Sequence, residues 1–96
     1  MLENFWRPIS PDVVVIEIPG QYGVIQRRQN GYRWVAARSL TGWDFTLYFF
    51  DGTGDELTAE AAKQGCEERL LRDYTGHEKA ALLRQLMQAR PVPPLP

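Results

Sequence analysis

The chain has 96 residues, 44% hydrophobic and 24% charged, with 11 basic and 12 acidic side chains and a formal net charge of −1. That length supports one domain with one modest core, and the near-neutral balance excludes a protein that coats nucleic acid by bulk charge while leaving room for a local basic patch. A single cysteine, Cys66, excludes an intrachain disulfide, no apolar run approaches the ~20 residues that span a bilayer, and MLENFWRPIS lacks the basic-then-apolar plan of a signal peptide, so a cytoplasmic protein without membrane contact is expected.

Residues 1–12 read as an arm, because Pro8 and Pro11 prevent a regular helix and bias the residue before each towards extended structure. Phe5 and Trp6 in that arm either pack over one end of a sheet or form an exposed anchor for a partner. DVVVIEI, residues 12–18, is β-branched and almost continuously apolar, which suits a strand covered on both faces. Pro19-Gly20 turns the chain, and antiparallel pairing with residues 22–28 follows.

Asn30-Gly31 lies between QYGVIQRRQ and YRWVAARSL and predicts a hairpin with a type I′ turn. The register that such a turn fixes sets Gln29 opposite Tyr32, Arg28 opposite Arg33, Arg27 opposite Trp34 and Ile25 opposite Ala36. One face then carries Ile25, Arg27, Tyr32, Trp34 and Ala36, the other Val24, Gln26, Arg28, Arg33 and Val35. The base is expected to pack and the arginine-bearing tip to project into water. Arg28 opposite Arg33 would be a repulsive cross-strand pair, which hints at an anionic partner.

After Thr41-Gly42, WDFTLYFF alternates as a third strand, with Trp43, Phe45, Leu47 and Phe49 as the expected core face and Tyr48 and Phe50 on the other side. DGTGDE reads as a loop whose acids are solvated and favour the next helix N-terminus; it lacks the terminal carboxylate of a calcium loop. Residues 57–73 are patterned as a helix with Ala59, Ala62, Cys66 and Leu70 on one stripe, so Cys66 is expected to be a buried small hydrophobe. Thr75 and Glu78 fit a capping box that opens a second helix to about Ala89, with Ala80, Leu83, Leu86 and Met87 as its stripe, Leu82 beside it, and His77 at the surface. Arg90, Pro93 and Pro96 space a basic-first PxxP pattern in a tail that is either a ligand for an SH3-type domain or plain polyproline-rich chain.

These elements predict an α+β fold: a three- to four-stranded antiparallel meander followed by two C-terminal helices, in one domain over residues 1–90 with a Pro-rich tail at 91–96. No phosphate loop, CxxC, HExxH or GxSxG motif occurs. Glu67 and Glu68 are adjacent, so on a helix they point in different directions. A non-enzymatic protein with no cofactor and no metal is expected.

The candidate partner-binding residues are Arg27, Arg28, Tyr32, Arg33, Trp34 and Arg38. Arginine, tyrosine and tryptophan dominate protein-binding hot spots, which makes a protein the first partner to consider. Arginines on a two-stranded ribbon also suit nucleic acid. RRQNGYRWVAARSLTGWDFTLYFF followed by TAEAAKQGCEERLL resembles the three-strands-then-helix plan of the arm-type DNA-binding domains of phage integrases, over about residues 22–72. That resemblance implies DNA binding by the 22–38 hairpin. In size and style the chain is also similar to small phage-encoded inhibitors, anti-CRISPR proteins among them, which implies a protein partner.

Overall fold

Residues 2–89 are described in a computed structural model of the chain, and the expected PxxP pattern at 90–96 lies outside them. A 3-10 turn at Glu3–Phe5 is followed by β1 (Arg7–Ser10), β2 (Val13–Ile18), β3 (Gln21–Arg28), β4 (Gly31–Thr41), β5 (Thr46–Glu56), α1 (Ala59–Leu70) and α2 (Gly76–Ala89). The strands form one antiparallel meander in the order β1-β2-β3-β4-β5. The α+β class and the two C-terminal helices match expectation, and the sheet has five strands. The added strand comes from residues 7–10, which pair with β2 at an edge. An edge strand tolerates Pro8 because one side of it needs no donor.

The core lies between one sheet face and α1. Ile16 and Ile18 of β2, Ile25 of β3 and Ala36 of β4 are buried there against Ala62, Cys66 and Leu70 of α1, with Leu71 and Leu82 completing the cluster. Leu2 and Trp6 are buried in the same core and Phe5 packs against it, so the aromatics of the N-terminal segment are core residues. The Leu2 N–H donates to Glu67 Oε1 at 2.7 Å, which ties that segment to α1. On the opposite face Val15 is also buried, and Arg7, cross-strand from it, reaches Glu17 at 3.0 Å.

The β3–β4 register differs from the expected one by two residues. Arg28 pairs with Gly31, Arg27 with Tyr32, Gln26 with Arg33 and Ile25 with Trp34. Gln29 and Asn30 therefore form the turn. Asn30 does not have positive φ, so the turn is not type I′, and Gly31 supplies the unusual backbone at φ +152°. A Cβ on Gly31 would lie 2.5 Å from the Glu56 carbonyl oxygen, so β5 passes too close for any other residue. The two faces survive a shift of two, but the expected Arg28–Arg33 repulsion does not exist.

The DGTGDE segment is strand, not loop. β5 runs through it to Glu56, with a register shift opposite Ala36/Ala37 that leaves Asp51 bulged. α1 is shorter than the expected 57–73 at both ends, running from Ala59 to Leu70: Thr58 caps it by accepting the Ala61 N–H at 3.1 Å. The Cys66 thiol is fully buried, and burial, with a smaller contribution from Glu67, pushes its pKa up to about 12. Cys66 is expected to react slowly with thiol reagents at neutral pH; complete labelling of the folded protein within seconds would contradict this packing.

The Thr75 hydroxyl accepts the Glu78 N–H at 3.1 Å at the start of α2. Thr75→Ala is expected to lower stability by about 1 kcal/mol, read as a lower urea midpoint at unchanged slope. The buried stripe of α2 is rotated from the expected one. Leu82 is buried and Leu83 and Leu86 half-buried, whereas Ala80 and Met87 are exposed.

Candidate functional site

Pairing between β3 and β4 ends at Gln21 and Arg38, with one further bond from the Ser39 N–H to the Gly20 carbonyl. β4 and β5 continue past that point, paired with each other through Ser39–Tyr48, Leu40–Leu47 and Thr41–Thr46. Residues 39–48 thus leave the sheet as a two-stranded arm, and Phe49 and Phe50, opposite Arg38 and Ala37, continue its surface onto the sheet at its root. The arm carries Leu40, Phe45, Leu47, Tyr48 and Phe49, all about half exposed, with Phe50 at 71% and Trp43 at its tip fully exposed. The expected core face of Trp43, Phe45, Leu47 and Phe49 is therefore corrected: these side chains face water. The alternation in the sequence is real, but α1 meets β5 at Asp51 and Gly52 through Arg69, and none of these four side chains joins the core cluster. The Phe45 ring lies over Gly42, whose N–H donates to the Phe45 carbonyl at 2.8 Å and closes the tip.

On the other side of the arm, Tyr48 and Tyr22 stack at a tilt, ring centroids 5.5 Å apart. With Ala37 and Phe50 they extend the apolar surface onto the sheet face away from α1. Burial, then the nearby Glu17 charge, raises the Tyr22 pKa.

A charge cluster anchors the arm at its root. The Asp51 carboxylate, only 13% exposed, stands 3.7–3.8 Å from Arg38, Arg69 and Arg72. Arg69 also donates to the Asp51 carbonyl at 2.6 Å, and Arg38 reaches Asp73 at 3.3 Å. The bulge that interrupts the β4–β5 ladder is thus bonded to α1 and to the segment after it.

The six candidate partner-binding residues do not form one surface. Arg28, Tyr32 and Arg33 line an open concavity of about 540 Å³ at the β3–β4 turn, with Asp55, Glu56 and Leu57 opposite them. Arg33 grips Asp55 through two hydrogen bonds, 3.0 and 3.3 Å, and holds that carboxyl below its usual range. Arg27 lies 4.0 Å from Asp12. Arg38 belongs to the cluster at the root of the arm. Trp34 is half-buried and packs against the core. Its indole fills a slot between two glycines: a Cβ on Gly54 of β5 would lie 2.5 Å from Trp34 Nε1, and one on Gly65 of α1 2.7 Å from it. The chain needs glycine at both positions to admit the ring.

A signal for the arm exists in the sequence. Pro19-Gly20 sets where β3 begins, and the turn at 29–30 sets which residue of β4 lies opposite that start, so β4 outruns β3 after Arg38. Among the described residues, no cluster of His, Cys, Asp and Glu is arranged to hold a metal ion, and no helix is long and apolar enough to cross a membrane. Comparison of the chain with protein-family models, curated proteins and solved structures found no match.

Proposed function

We propose that this domain is a non-enzymatic protein-binding module and that residues 40–50 are its docking surface. The observation that carries this is the contiguous exposure of Leu40, Trp43, Phe45, Leu47 and Phe49 on an arm that has left the core. Exposed apolar patches of this kind, rich in aromatics, mark interaction sites. The arm holds one charged residue, Asp44, and no lysine or arginine. Neither phosphate backbones nor anionic headgroups would find a cation there, so a protein surface is the chemistry that fits. Arg28, Tyr32 and Arg33 would serve at most as a separate polar contact.

The nucleic-acid alternative, which the resemblance to integrase arm-type domains implies, needs free arginines on the hairpin. Arg27, Arg33 and Arg38 each have a carboxylate within 4.0 Å, which leaves Arg28 as the hairpin arginine without an ion pair among the described residues. Capture of partners by the immobilised domain, with and without nuclease and over a range of salt, separates the two. A protein retained after nuclease treatment, with a shallow salt dependence, is the expected result. Retention lost to nuclease, or a steep fall with salt, would overturn it.

A further inference from the structure

We propose that the first partner of this arm is a second copy of the chain, joined edge to edge through β5 in a two-fold dimer; this rests on the reading of the arm as a protein-docking surface. β5 is the last strand of the sheet, so one side of it has no strand neighbour. The Gly42–Phe45 hydrogen bond fixes which backbone groups point outward. In an antiparallel ladder, bonded and non-bonded pairs alternate. Gly42–Phe45 is bonded, so Leu40–Leu47 and Arg38–Phe49 are bonded pairs, while Tyr48 and Phe50, opposite Ser39 and Ala37, turn their N–H and C=O groups to the open edge.

The two edges of the sheet are built differently. β1 is four residues long, contains Pro8, bulges between Pro8 and Ser10, and carries Arg7 in an ion pair with Glu17. Those features discourage pairing with another strand. β5 between Leu47 and Phe50 has no charge, no proline and no bulge, and its four side chains are all exposed. Such a stretch is a template for strand addition.

That edge is complementary to itself. A two-fold axis at Tyr48 pairs its outward N–H and C=O with those of the second Tyr48, and sets Phe50 opposite Thr46 of the other copy. Leu47 then stands opposite Phe49 on one face, twice over, and no like charges meet across residues 46–50. An axis at Phe50, the next residue that faces the open edge, would carry the new ladder through the bulge at Asp51, where β5 is irregular. Self-pairing over 46–50 therefore joins the two sheets into one.

Sedimentation of the full chain over a micromolar to millimolar range should show twice 11.0 kDa. The variant Tyr48→Pro removes an N–H that points away from β4, so it should fold and shift the dimer midpoint at least tenfold upward. Leu47→Lys with Phe49→Lys, which leaves the backbone unchanged, should do the same by opposing like charges. Under mild oxidation Tyr48→Cys should cross-link as a homodimer, because bonded antiparallel pairs hold their Cα atoms ~5.5 Å apart, while exposed Leu57→Cys should not. A parent that stays monomeric throughout, or equal cross-linking at both positions, would overturn the dimer. If that monomer still captures another protein through the arm, the dimer fails and the docking surface stands; if the dimer forms and arm variants capture as the parent does, the reverse holds.

Discussion

Trp34→Ala is expected to destabilise the domain by about 3 kcal/mol, near the value for truncating a large core aromatic. The slot between Gly54 and Gly65 has no side chain of its own to collapse into the space, so the cavity would persist. For a domain of this size that is a large share of a total stability of roughly 5–10 kcal/mol. Urea denaturation at constant slope measures it. A loss below about 1 kcal/mol would mean that Trp34 is a surface residue, as its place among binding candidates required.

The arm should behave in the opposite way. Phe45→Thr, Leu47→Thr and Phe49→Thr together keep β-forming side chains but remove the exposed rings and the leucine. Because these residues do not belong to the core cluster, unfolding should change by no more than about 0.5 kcal/mol per site. Binding of a protein partner should fall ~100-fold or more, since aromatic anchors of an interface are worth about 2 kcal/mol or more each. A variant that unfolds would show that the rings are structural.

Much of the fold could be read from residues. The Pro19-Gly20 turn, the presence of a hairpin around Asn30-Gly31 (though not its register), the Thr75 cap and the Ala62–Cys66–Leu70 stripe follow from local chemistry and helical or strand periodicity. The site was less legible because periodicity reports that a strand has two faces, not what covers them. Phe45, Leu47 and Phe49 alternate as core residues do, and only the register arithmetic from Gln21 to Arg38 reveals that β4 and β5 outrun the sheet. Gly52 and Gly54 read as a loop because their function is spatial: they make room for Arg69 and Trp34. Arg33 and Arg38 read as free basic residues because their partners, Asp55 and Asp51, are distant in sequence and reach them only once β5 has paired with β4.

The most direct test compares three proteins in one titration against the captured partner: the parent, the triple threonine variant of the arm, and Arg28→Ala with Arg33→Ala at the hairpin turn. If the arm is the docking surface, the threonine variant loses binding while the arginine variant stays within a few-fold of the parent at every salt concentration. Full affinity in the threonine variant and its loss in the arginine variant would contradict the assignment and move the site to the concavity beside the β3–β4 turn.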